Sequence, residues 1–140
     1  MKVFVYGSLM KGFSNHVVMA RAGGTFVNKD SIDGIQLKAY CTGFPCAVLK
    51  KGFTVHGEVY EVNREGLRQL DMLEGEGNFY HRSVMKTNTG DSVHVYTMNE
   101  RDAHGEVIRD GSWRTYKHAL KRGFTNRKPA RKYKSRIDFW

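Results

Sequence analysis

At 140 residues, 40% of them hydrophobic, the chain is long enough for one domain with its own core. No apolar run reaches membrane-spanning length, and two cysteines, Cys41 and Cys46, are too few for a disulfide scaffold or a paired-cysteine zinc site. The formal charge of +9 is lopsided: residues 1–113 balance thirteen Lys/Arg against thirteen Asp/Glu, whereas residues 114–140 carry ten Lys/Arg against Asp138 alone.

The chain opens on VFVYGSLMKG. Val3, Phe4, Val5 and Tyr6 are β-branched or aromatic and predict a buried first strand. The strand runs out into Gly7-Ser8, where backbone N–H groups at a strand end can face a ligand with no Cβ in the way. The turn fits neither GxxxxGK[ST] nor GxGxxG, so it is not one of the common phosphate loops. Asn15 is placed to cap a short helical turn over residues 15–20. Gly23-Gly24 precedes a short strand at residues 25–27. Asp33-Gly34 reads as a turn, followed by an alternating strand at residues 35–40. Residues 44–49 are a further short strand, Lys50-Lys51-Gly52 its turn, and residues 55–62 a stronger strand. Leu67, Leu70 and Leu73 recur at helical spacing between Asn63 and Gly75, which predicts the body's clearest helix. Residues 83–86 and 93–98 read as two more strands around Thr89-Gly90-Asp91. Residues 112–120 form a second helix with Trp113, Tyr116 and Leu120 on one face. Several short strands with one or two helices predict an α+β domain with a small closed or nearly closed sheet.

No Ser-His-Asp order, HExxH or EF-hand loop is present. The chemistry rests on a carboxylate, Glu74, at the C-terminal end of the leucine helix and ahead of Phe79-Tyr80. The helix dipole disfavours a carboxylate there, and shielding from water would raise its pKa into a range useful for acid–base work. Most glutamates are solvated surface residues, and periodicity does not separate Glu74 from Glu76.

Four pieces then fall into one order: Tyr6-Gly7-Ser8-Leu9 with Gly12 and Asn15; Gly57-Glu58-Val59-Tyr60; Leu70-Asp71-Met72-Leu73-Glu74-Gly75 with Tyr80 and Arg82; and Gly111-Ser112-Trp113 with Tyr116. Over roughly residues 3–116 the chain resembles the γ-glutamylcyclotransferase-like family (AIG2-like, γ-glutamylamine cyclotransferase). The resemblance implies a small mixed β-barrel flanked by one or two helices, with the YGSL turn and the glutamate facing one cavity. Such proteins cleave γ-glutamyl amides without metal or organic cofactor: the substrate's α-amine attacks its own γ-carbonyl, giving 5-oxoproline and a released amine. The family's catalytic glutamate matches Glu74, and its substrate-holding turn matches Tyr6, Gly7, Ser8 and Leu9. Tyr80 and Tyr116 are placed to wall the cavity, although core aromatics need no such role. The Tyr80–Arg82 spacing and the short loop after Glu74 resemble the γ-glutamylamine type more than the larger glutathione-processing type.

The expected organisation is a domain over residues 1–120 and a basic extension over residues 121–140. Basic groups interleaved with Phe124 and Tyr133 suit nucleic acid or an acidic protein partner, while Ile137, Phe139 and Trp140 suit an extension docked on the body. A chain that enters a strand without a signal-peptide pattern is expected in the cytoplasm, with no membrane partner. Two functions therefore stand: a cofactor-independent cyclotransferase, and a non-catalytic member of the same fold whose basic tail binds.

Overall fold

Val3, Phe4 and Val5 are fully buried because strand β1 (Lys2–Val5) lies inside the sheet with a neighbour on each edge. Their side chains join one core with Met19, Leu70 and Trp113 from the helices. The computed structural model describes residues 1–40, 44–73 and 80–121, the side chains of Tyr40 and Lys121 excepted. Along the chain β1 is followed by α1 (His16–Arg21), β2 (Thr25–Tyr40), β3 (Phe44–Glu61), α2 (Arg64–Met72), β4 (Tyr80–Lys86), β5 (Ser92–Met98), β6 (Gly105–Ile108) and α3 (Trp113–Lys121). The six strands form one sheet in the order β4-β5-β1-β3-β2-β6, curled into a half-barrel. β1 runs parallel to β5 and antiparallel to β3. The curl brings the edge strand β4 back towards the start of β3, where the Tyr80 hydroxyl donates to the Pro45 carbonyl across 2.7 Å. This is the α+β fold with a small mixed, curled sheet expected from the sequence; the sheet is a half-barrel, and three helices rather than one or two are present among the described residues.

The β2–β3 hairpin departs from the reading in short pieces. Asp33-Gly34 and Lys50-Lys51-Gly52 look like chain reversals, yet Asp33 pairs with Thr54 and Ile35 with Leu49 in one continuous ladder. Residues 50–53 therefore bulge out opposite the single residue Gly34. Gly34 and Gly52 take φ values of 91° and 90°, the left-handed region a bulge needs and glycine adopts without strain. The turn signals are real, but they mark an irregularity inside one long hairpin. β6 is a strand beyond those expected; its short GEVI run pairs with the far end of β2.

α2 forms where the leucine spacing puts it. Asn63 caps it, its side-chain oxygen accepting from the Gly66 N–H at 2.7 Å, and Leu67 and Leu70 are buried. Such a cap is worth about 1 kcal/mol. Gly66 sits inside the helix because a Cβ there would lie 2.2 Å from the Ala22 carbonyl oxygen, so α2 packs backbone-close onto the end of α1. Cys46 is buried in the core, whereas Cys41 lies outside the described residues. No helix among the described residues is long and apolar enough to cross a membrane.

Candidate functional site

The site is built where β1 ends. Tyr6 is fully buried and its hydroxyl donates to the Tyr96 carbonyl on β5 at 2.7 Å, so the parallel strands are locked together at the point where the chain turns. The Gly7 carbonyl accepts from the Met10 N–H at 3.0 Å, which closes the turn. α1 then grips it from outside: Asn15 Nδ2 donates to Ser8 Oγ at 3.1 Å, and His16 Nδ1 donates to the Leu9 carbonyl at 2.9 Å. Asn15 makes no side-chain capping bond, contrary to expectation, because its amide is turned to Ser8 instead. Leu9 is fully buried, so of the four predicted turn residues Tyr6 and Leu9 anchor the turn in the core. Gly7 is buried with them, and half-buried Ser8 is the turn residue nearest solvent.

A second set of bonds leads from this turn to α2. The Tyr96 hydroxyl donates to Asp71 Oδ1 on the last turn of the helix, and Arg82 Nε on β4 reaches the same oxygen at 2.8 Å. Arg82 Nη1 also donates to His94 Nδ1 at 2.9 Å, which requires the neutral ring with its proton on Nε2. Burial, and then the Arg82 charge, hold the His94 pKa below the ordinary histidine value, with Asp71 acting in the opposite sense. α2 ends at Met72, and its C-cap Leu73 donates its N–H to the Leu70 carbonyl at 3.1 Å. Glu74, the predicted catalytic carboxylate, lies outside the described residues, as do Glu76, Phe79 and residues 122–140.

Tyr80 begins β4 opposite Met98 and is buried. Because β5 and β1 run parallel, Tyr80, the 96–98 end of β5 and the Tyr6 turn fall at one end of the sheet. Tyr116 is stacked on buried Trp113 with ring centroids 5.3 Å apart, a core contact on α3.

Glu58 has no chemical role in the sequence pattern, yet it is 4% exposed, the only carboxylate buried among the described residues. Its Oε1 accepts from the Lys11 N–H at 2.9 Å and from the Tyr60 hydroxyl at 2.8 Å. Arg114 Nη2 donates to the Lys11 carbonyl at 2.8 Å and approaches Glu58 Oε2 at 3.5 Å. Burial, followed by the hydrogen bond and charge of Glu58, raises the Tyr60 pKa, so this phenol remains a donor at neutral pH. Glu58 and Arg114 line a cleft of about 570 Å³ with Lys11, Gly12, Phe26 and Lys29. The available signal was a carboxylate in the apolar run of β3, directly after a glycine.

Comparison with known proteins bears on the whole of this region. The family described as "Gamma-glutamyl cyclotransferase, AIG2-like" matches residues 3–115. The γ-glutamylcyclotransferase family protein YtfP of Escherichia coli K12 is 39% identical over 118 residues, covering 81% of this chain and 96% of the relative. Among solved structures, an AIG2-like protein of Mus musculus superposes with a TM-score of 0.59 at 31% identity, covering 69% of this chain and 76% of its own. The uncharacterised protein PH0828 of Pyrococcus horikoshii superposes with a TM-score of 0.70 at 26% identity, covering 91% and 99%. The match over residues 3–115 and the 39% identity to a relative covered almost end to end make this chain a member of the γ-glutamylcyclotransferase, AIG2-like family.

Proposed function

We propose that the chain is a cofactor-independent γ-glutamyl cyclotransferase that cleaves a γ-glutamyl amide into 5-oxoproline and a free amine. The observation that carries the reading is the family match across residues 3–115, which spans the turn after Tyr6, the end of α2 and the start of β4. The described geometry supports it: the Tyr6 turn is tied through Tyr96 to Asp71, three residues before Glu74. In the proposed mechanism the turn of Tyr6, Gly7, Ser8 and Leu9 cradles the substrate, and Tyr80 and Tyr116 bound the cavity.

At neutral pH a substrate α-amine is mostly ammonium and cannot attack. Glu74 takes one proton from it, the amine nitrogen bonds to the γ-carbonyl carbon, and a tetrahedral oxyanion forms. Collapse breaks the bond to the leaving nitrogen, which receives the proton back from Glu74, and the ring nitrogen passes its surplus proton through the freed carboxylate to the departing amine, which leaves as ammonium. One carboxylate thus serves as base and then acid, and no water is consumed. Backbone N–H groups of the turn stabilise the oxyanion, a single such donor being worth about 3 kcal/mol. Because nucleophile and carbonyl belong to one molecule, positioning removes much of the entropic barrier. The test is 5-oxoproline release from γ-glutamyl amines and γ-glutamyl dipeptides, and the best substrate identifies the leaving amine.

One observation favours a second reading. The family match ends at residue 115, while the whole of the excess charge lies in residues 114–140. In that reading the fold is a binding module and residues 121–140 engage nucleic acid or an acidic protein. Affinity would then fall steeply with salt and vanish on removal of those residues.

A further inference from the structure

We propose that Glu58 and Arg114 form a two-sided clamp on the main chain of Lys11 that holds the substrate turn in its working shape, with Glu58 as a positioning residue. The inference rests on the cyclotransferase reading for its kinetic consequences, but not for its geometry.

Lys11 is the exit of the turn that begins at Gly7. Both of its main-chain polar groups are taken by side chains: the N–H by Glu58 Oε1 at 2.9 Å, the carbonyl by Arg114 Nη2 at 2.8 Å. The two side chains come from elements distant in sequence, β3 and α3, so the turn is referenced to the sheet and to α3 at once. Glu58 stands opposite Val5 in the β1–β3 ladder, at the level where β1 ends. Gly57 draws the two strands close there, since a Cβ would lie 2.2 Å from the Val5 carbonyl oxygen. Tyr60 holds the carboxylate from its own strand at 2.8 Å, and Phe13 carries the Arg114 guanidinium over its ring at 4.8 Å. Each arm of the clamp is therefore itself held.

Stability alone does not call for this arrangement. A buried carboxylate is costly to desolvate, and an apolar side chain of similar volume usually serves a core as well or better. What an apolar residue cannot do is accept the Lys11 N–H. The retained carboxylate is explained by the bond it makes to the turn. It is not explained as a proton carrier, because Oε1 is occupied by two donors and Oε2 faces a guanidinium.

The test compares wild type with Glu58→Gln, Glu58→Ala and Arg114→Met in two readouts: amide hydrogen exchange at Lys11 by NMR, and KM and kcat for 5-oxoproline release. Glu58→Ala and Arg114→Met are expected to speed exchange at Lys11 about tenfold and to raise KM about tenfold, with a smaller effect on kcat, the scale of one lost charge-assisted hydrogen bond. Glu58→Gln keeps an oxygen for the Lys11 N–H and is expected to restore protection and most of the KM. Should Glu58→Ala fail to fold, Arg114→Met, at a partly exposed helix position, decides the matter. Wild-type exchange at Lys11 in Arg114→Met overturns the clamp. A Glu58→Gln protein as inactive as Glu58→Ala, with Lys11 still protected, overturns the positioning role and makes Glu58 a proton carrier. A wild type inactive on every substrate defeats the cyclotransferase reading, and the exchange measurement still decides whether the clamp exists.

Discussion

The hydroxyl of Tyr6 and the carbonyl of Tyr96 meet at 2.7 Å between two parallel strands, in full burial. That bond fixes the last residue before the turn, and through the Tyr96 hydroxyl it leads on to Asp71 at the end of α2. Tyr6→Phe removes the donor and leaves the ring. Losing a partner for a buried carbonyl costs about 1–2 kcal/mol, so the urea midpoint should fall with an unchanged m-value. An unchanged midpoint would show that the bond does not contribute.

Gly57 is a sharper probe of the same region. A methyl group there would lie 2.2 Å from the Val5 carbonyl oxygen and 2.8 Å from the Phe4 ring, and the first of these is backbone that cannot swing aside. Gly57→Ala is expected to destabilise by more than about 2 kcal/mol, as overpacking against a fixed neighbour does. Gly57 is not at positive φ, so its cost is steric, whereas Gly90→Ala meets no atom within 4 Å and its φ of 97° imposes backbone strain alone.

How much of this is legible in the sequence follows from the kind of signal each part leaves. β1, α2 and the Asn63 cap are local: alternation, leucine spacing and a capping side chain lie within a few residues of one another. The long β2–β3 hairpin reads as four strands because Gly34 and Gly52 give the same local signature whether the chain reverses or bulges, and only pairing across the sheet decides. Asn15 reads as a cap because the sequence cannot show that Ser8 Oγ lies within 3.1 Å of it. The turn residues stand out by their motif, but their division into core anchors, Tyr6 and Leu9, and half-buried Ser8 needs burial. Glu58 leaves only a faint local signal, a carboxylate in the apolar run of β3, because two of its partners, Lys11 and Arg114, stand 47 and 56 residues away.

The pH dependence of stability has a definite sign at His94. Its folded-state pKa is depressed by burial and by Arg82, so below the unfolded value of about 6.5 the unfolded chain binds the proton more readily. The stabilisation from the neutral ring is complete above that value and is lost as pH falls through the folded-state pKa. NMR titration should place the His94 midpoint below 6.5, and the loss of stability as pH falls below about 6.5 should be shallower in His94→Gln. A His94 midpoint above 6.5 would refute the neutral-ring assignment.

In the proposed reaction a single carboxylate, Glu74, moves the proton of an intramolecular cyclisation. The most direct test is 5-oxoproline release by wild type beside Glu74→Gln, which keeps the shape of the side chain and removes its basicity. Wild type is expected to release 5-oxoproline, and the variant to lose about 10²- to 10⁴-fold in kcat with KM little changed. Release by Glu74→Gln at the wild-type rate would contradict the claim.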